Sequence, residues 1–168
     1  MGSGPDERAG NQCKSYGAGN IMSVPGRLHI TWQDADTLRI DTDAGTQTRL
    51  FHFAAGSAAA ASAPHTWQGE SAATWEPAAG PGAGGSLRAV TSNLRAGYLR
   101  KNGVPYSDQA TVTEHFDVAP LADSGRLLLV TTIVDDPVYL AAPYVVSPHF
   151  KKEPNGSKWD PAPCSSTW

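Results

Sequence analysis

The sequence predicts an all-β domain, a single antiparallel eight-stranded up-and-down barrel, and three observations lead there. Residues 28–53, LHITWQDADTLRIDTDAGTQTRLFHF, place apolar side chains alternately at Leu28, Ile30 and Trp32, then at Leu38 and Ile40, then at Phe51 and Phe53; alternation with a period of two marks half-buried strands. The composition is that of a chain of many short strands and turns, with 17 Gly and 13 Pro among 168 residues and only 17% charged. Strand-like segments then recur along the chain, roughly at 27–32, 37–43, 46–53, 69–76, 86–94, 110–117, 126–135 and 144–150. Strands joined to their neighbours by turns can close on themselves and so remove exposed edges. A two-sheet β-sandwich is the alternative arrangement of the same strands.

The breaks between strands have their own chemistry. Asp34-Ala35-Asp36 supplies side chains that cap a turn, and Ala44-Gly45 offers a glycine where a hairpin needs positive φ. The alanine-rich stretch 54–66 reads as a loop, because four consecutive alanines are too few to nucleate a helix and Pro64 ends any turn that forms. The Pro- and Gly-rich 77–85 is a hairpin connection. Residues 126–135, RLLLVTTIVD, are almost continuously apolar, as suits a central strand covered on both faces. Three regions follow: an extended N-terminal arm at 1–20, the barrel at 21–152 and an extended tail at 153–168.

A chain of this length is expected to form one core and to bury about two-thirds of the surface exposed by its unfolded form. The formal net charge is −3 with no basic cluster beyond Lys151-Lys152, so no nucleic-acid or anionic-membrane partner is expected. No apolar run approaches the roughly 18 residues of a membrane-spanning helix. Met1-Gly2-Ser3-Gly4 has the composition of an added leader rather than of an export signal, and compartment is therefore read from the cysteines. Cys13 and Cys164 lie near opposite ends of the chain, where a barrel's termini come together. A disulfide between them is expected, and with it a periplasmic or secreted setting.

Candidate site residues follow from strand register. A turn at 34–36 pairs Trp32 with Leu38, Ile30 with Ile40 and Leu28 with Thr42; a turn at Ala44-Gly45 then pairs Ile40 with Arg49 and Leu38 with Phe51. Gln47 and Arg49 thereby face inward, where an arginine needs a ligand anion, water or an acidic neighbour such as Glu114. With the register slipped, Arg49 would sit at the barrel mouth instead. His29 falls opposite Asp41 on the outer face, as an exposed cross-strand pair. Glu114 and His115 are adjacent on a strand and point to opposite faces, so one of them is the inward acid–base candidate. The loop NLRAGYLRKNGVPYS, 93–107, brings Tyr98 and Tyr106 together with Arg95, Arg100 and Lys101, flat apolar area with polar tips. Metal-ligand spacings such as HxH, HExxH and CxxC are absent, as are GxSxG, the P-loop and GxGxxG. No metal and no cofactor is expected.

The runs GRLHITWQDADTLRIDTDAGTQTRLFHF, NLRAGYLRKNGVPYS, EHF, VTTIVDDPVYL and SPHFKK, spanning about 26–152, resemble an uncharacterised family of exported bacterial proteins with a lipocalin-like (calycin-type) β-barrel. The resemblance implies that barrel and export, and it carries no catalytic residues. Family members begin with an export signal and an additional strand bearing a Gly-x-Trp type of turn; no such strand precedes Cys13 here.

Three functions fit these readings. The first is binding of a small apolar or weakly acidic molecule in the barrel, oriented by Gln47, Arg49, Tyr98, Tyr106 and Trp32. The second is a cofactor-independent isomerase, cyclase or lyase in the same cavity, with Glu114 or His115 carrying the proton. The third is a protein-interaction module with a filled core. The oligomeric state stays open.

Overall fold

The protein was studied as a computed structural model, which describes residues 5–53, 63–80, 84–122 and 125–166. The alanine-rich stretch 54–62, residues 81–83 of the next connection and residues 1–4 lie outside the described residues. The chain is all-β, with 47% in strands. In order these are β1 (Leu28–Trp32), β2 (Thr37–Thr42), β3 (Ala44–Gly45), β4 (Gln47–His52), β5 (Glu70–Pro77), β6 (Gly85–Ser92), β7 (Gly97–Tyr98), β8 (Pro105–Tyr106), β9 (Thr111–Pro120), β10 (Arg126–Asp135), β11 (Tyr144–Val146), β12 (His149–Lys151) and β13 (Ala162–Pro163). Each of the eight expected segments forms a strand. The last is broken in two at Ser147-Pro148, where the carbonyl of Pro148 accepts from Val130 N–H.

The main sheet runs β1-β2-β4-β5-β6-β9-β10-β11, with β12 also pairing β10. The register expected for residues 28–53 is observed: Trp32 faces Leu38, Ile30 faces Ile40 and Leu28 faces Thr42, while Ile40 faces Arg49 and Leu38 faces Phe51. Two local turns fix it, and both use the anticipated residues. Asp34 Oδ1 accepts from Asp36 N–H at 2.9 Å, and Gly45 takes φ 74° against the ring of Tyr16, which a Cβ would strike.

The closed antiparallel barrel is corrected. The sheet is mixed and curls into a half-barrel, because β4 and β5 run parallel, at Phe51↔Ser71 and His52↔Ala72. Parallel neighbours cannot be joined by a tight turn, and seventeen residues separate β4 from β5 in the sequence. The curl is strong. In the sheet order β9 lies three strands from β4, a separation of about 14 Å in a flat sheet at ~4.8 Å per strand, yet the rings of Phe51 and Phe116 are 5.4 Å apart.

Strands do not close over the concave face. Tyr16, Ile21, Met22 and Val24, from the segment leading into β1, join Leu38, Ile40, Phe51, Ala73, Leu87, Ala89, Phe116 and Val130 in one apolar cluster. A second cluster gathers Ala18, Leu94, Leu99, Tyr106, Ala110, Val112 and Val134. The β7–β8 hairpin belongs to the second cluster, and Ser107 fastens it to the end of β10: its hydroxyl donates to Asp136 Oδ1 at 2.7 Å, and its N–H to Oδ2.

The termini are tied down at one place. Cys13 and Cys164 form a disulfide across 151 residues, β13 pairs parallel with β3, and Asp43 holds three segments together. Its carboxylate accepts from the backbone and guanidinium of Arg27, from Ala44 N–H and from Asp160 N–H. Burial works against ionisation of Asp43, but these hydrogen bonds outweigh it and hold its pKa below the usual carboxylate value.

Two outcomes are expected. Replacing Cys13 and Cys164 by serine should lower the urea midpoint substantially, since the chain-entropy model gives up to roughly 5 kcal/mol for so long a loop. Asp43, with its pKa depressed in the folded state, contributes stability that is present above the unfolded value near ~3.9 and disappears as pH falls through the folded value. Asp43→Asn should therefore lose stability at pH 7 and show a shallower loss below about pH 4, measured by urea denaturation across pH 2–7.

Candidate functional site

A polar layer lies between the two apolar clusters, built by one inward residue from each of five strands: Arg49 on β4, Ser71 on β5, Thr91 on β6, Glu114 on β9 and Thr132 on β10. All five are buried, Arg49 at 1% exposure and Glu114 at 0%. The planar guanidinium meets the carboxylate with both forks: Arg49 Nη1 donates to Glu114 Oε1 at 2.8 Å, and Nη2 lies 2.6 Å from Oε2. Nη2 also donates to Thr91 Oγ1 at 3.3 Å, and Thr91 shares a 2.7 Å hydrogen bond with Ser71. Phe51 covers the guanidinium, its ring centroid 4.9 Å from Cζ. These contacts offset part of the desolvation cost of a buried charge pair, while Arg49 Nε and Thr132 Oγ1 are buried with no hydrogen-bond partner among the described residues.

The open alternatives resolve here. Arg49 is inward, and its countercharge is the acidic neighbour. Glu114 is the inward member of its pair, while His115 is on the convex face with Nδ1 3.5 Å from Glu76. Glu114 and His115 therefore share no site. Tyr106 is buried near Arg49, its hydroxyl pressed against Gly17 and Gly97 so closely that a Cβ at either would collide with it. Burial lifts its pKa well above the ordinary tyrosine value, against the opposing charge of Arg49.

Tyr98 and Gln47 lie elsewhere. Tyr98 donates to Asp6 at 2.9 Å and stands under Lys14, lining with Lys101 and Gln12 an open polar cleft of about 280 Å³. Burial disfavours the Lys14 ammonium, but Asp6 and Tyr98 more than compensate and raise its pKa. Gln47 sits at the terminal staple, donating to the Gly45 carbonyl at 2.7 Å, with Nε2 3.4 Å from Cys164 Sγ. A second open cleft of about 310 Å³ marks the fork where β4 and β5 part, beside Thr48, His52, Trp67 and Glu70. The structure thus joins Arg49, Glu114 and Tyr106, and separates them from Tyr98, Gln47 and Trp32.

Trp32 belongs to a different assembly. It shares the inward side of the sheet with Leu38 and Phe51, but at the end of the half-barrel where β4, β5 and β9 finish and β2, β6 and β10 begin. Its ring lies 5.5 Å from Phe53, and Phe53 stacks on Trp75 at 5.4 Å. The result is an aromatic strip whose outer members remain 53% and 59% exposed. Register puts Val118 on the same face and end, paired with Leu128, which in turn faces Phe150. Arg126 begins β10 two residues before Leu128, on the same alternation, and no described residue forms an ion pair or hydrogen bond with its guanidinium. Sequence reading missed Phe53, Trp75 and Arg126 as site residues. The alternation Ser71, Ala73, Trp75 could have found Trp75, since two small inward residues leading to a tryptophan define a face that opens at its end.

Comparisons with protein-family models, with curated proteins and with solved structures each find no match for this chain. Among the described residues no group of three or more His, Cys, Asp or Glu side chains is placed to hold a metal ion, and no helix is long and apolar enough to cross a membrane.

The buried pair makes an asymmetric prediction. Glu114→Gln leaves the guanidinium buried without its countercharge and should cost about 3–5 kcal/mol, whereas the double replacement Arg49→Met with Glu114→Leu should recover most or all of that loss. Urea denaturation of the three proteins at pH 7 checks both. Equal losses in the single and double variants would contradict the assignment.

Proposed function

We propose that the protein is a binding module for a small apolar molecule carrying a ring system and a weak acid, and that it holds this molecule on the Trp32–Phe53–Trp75 strip at the open end of the half-barrel. The single observation that carries the reading is the strip itself: two tryptophans more than half exposed and held in line by a shared phenylalanine. Large exposed apolar area is unfavourable in water, and a soluble chain retains it where something else is to cover it. Its concave setting suits a small ligand. Arg126, on the same face and end, is the group suited to the acid.

This reading moves the ligand away from Arg49, whose charge Glu114 already neutralises. Export and a lipocalin-like ancestry, suggested by sequence runs alone, accord with the disulfide and with an apolar cargo that needs shielding from water. The filled interior favours, second, a protein-interaction module that would use the same aromatic end.

A thermal-shift screen of aromatic acids, terpenoids and small carboxylates should yield hits. Trp75→Ala and Trp32→Ala should each weaken a hit about tenfold or more, as loss of an aromatic contact of ~1–3 kcal/mol would do. Arg126→Gln should weaken acidic hits selectively, and all three proteins should unfold near the wild-type temperature. Ligand affinity indifferent to both tryptophans would overturn the reading; an empty screen would favour the protein-interaction alternative.

A further inference from the structure

The two edges of the sheet are unlike. One edge is broken into β11 and β12, three residues each, with Ser147-Pro148 between them; short pieces and a proline are the ordinary protections of an edge. The other edge is β1, Leu-His-Ile-Thr-Trp, unbroken, with no proline, no carboxylate and no lysine or arginine.

The hydrogen-bond pattern shows which backbone groups β1 leaves open. Gln33 N–H donates to Thr37 C=O, and Asp43 N–H to Arg27 C=O. In an antiparallel pair hydrogen-bonded positions alternate, so Arg27, His29, Thr31 and Gln33 turn their backbone groups toward β2. Leu28, Ile30 and Trp32 turn theirs outward. No described residue outside β2 makes a backbone hydrogen bond to β1. On the concave side the same three residues include Ile30, 41% exposed, and Trp32.

We propose that β1 pairs antiparallel with β1 of a second copy of this chain, about a twofold axis through Ile30. That register sets Ile30 against Ile30 of the other copy and Leu28 against Trp32, and it is the one in which both backbone groups of all three outward-turned residues find partners. It also places each Trp32 over an apolar Leu28. Charge agrees with it. Arg27 of each copy stands opposite Gln33 and beside Asp34 of the other, and neither end brings like charges together. Arg27 is held on one side only, by Asp43, with 45% of its side chain exposed; Asp34 lies on the exposed turn. A closed isologous contact of this kind stops at two copies, because the opposite edge is protected.

The twofold permits a direct test. All native cysteine is disulfide-bonded, so Ile30→Cys introduces a single free thiol. In a hydrogen-bonded antiparallel pair the facing Cα atoms are about 5.5 Å apart, within the span that a disulfide bridges. The Ile30→Cys protein should cross-link to a covalent dimer under mild oxidation and non-reducing electrophoresis, while Leu28→Cys, which faces Trp32 of the other copy, should not. Sedimentation equilibrium of the wild type should show a concentration-dependent dimer. Ile30→Lys, which sets two lysines on the axis at an exposed position, should shift that dimer at least tenfold toward monomer with an unchanged far-ultraviolet spectrum. A wild type that stays monomeric up to millimolar concentration overturns the proposal. So does a dimer that Ile30→Lys leaves intact, or equal cross-linking at positions 28 and 30. A monomer whose β1 amide resonances shift on adding an extended peptide would make β1 a docking edge for another chain and would likewise overturn self-pairing.

Discussion

The ion pair between Arg49 and Glu114 is the constraint that the curvature of this protein satisfies. β4 and β9 stand three strands apart in the sheet, and a guanidinium can meet a carboxylate across that interval only if the sheet bends until the two inner faces approach. Once bent, the sheet brings Phe51 against Phe116 on one side of the pair and leaves room for the Tyr106 cluster on the other. The cost is heavy, since two charges leave water entirely; the close ion pair, the Thr91–Ser71 relay and the ring of Phe51 offset part of it. A layer of this kind also fixes register. A slip of one residue on β4 or β9 would turn a charge outward and leave its partner buried and unpaired.

The filled interior and the aromatic end lie on the same side of the pair, the side of Phe51 and Phe116, and the Tyr106 cluster lies on the other. Tyr16, Ile21, Met22 and Val24 fill the half-barrel, with Cys13–Cys164 and Asp43 holding the segments near both termini. Beyond them Trp32 and Trp75 touch Phe53 and stay more than half exposed. Phe53 links the interior and the aromatic end, since it packs against the cluster of Tyr16, Ile21, Met22, Val24, Ile40 and Phe51 on one side and meets both tryptophans on the other. A ligand-binding reading centred on Arg49 required an accessible charge, and burial by Glu114 removes that access; the aromatic end is where unsatisfied apolar surface remains.

Much of this was legible in particular residues. Two short turns fix β1, β2 and β4, so local chemistry at Asp34–Asp36 and Gly45 settled which side Arg49 faces. The direction of β5 was not legible, because nothing in the alanine-rich connection states whether the chain turns back at once or travels the length of the strand first. The choice between Glu114 and His115 was half visible: Val112 and Phe116 share the face of Glu114 and are both apolar. Glu114 stood among the possible countercharges of Arg49, beside a ligand anion or water, and the choice between them rested on a strand 65 residues away. The eighth strand, read as one, is two because Pro148 interrupts it. Edges and ends of sheets depend on which strands happen to be neighbours, and that is information of topology.

The central claim is that Arg49 is sealed in the bent sheet by Glu114, and it is tested most directly by hydrogen exchange of the Arg49 guanidinium. Side-chain NMR should resolve the Arg49 Nε–H and show exchange with water orders of magnitude slower than that of Arg126, whose side chain is in solvent. An Arg49 Nε–H that exchanges as fast as Arg126 at the same pH would mean that the pair is open to water, and the account of the curled sheet built on it would fail.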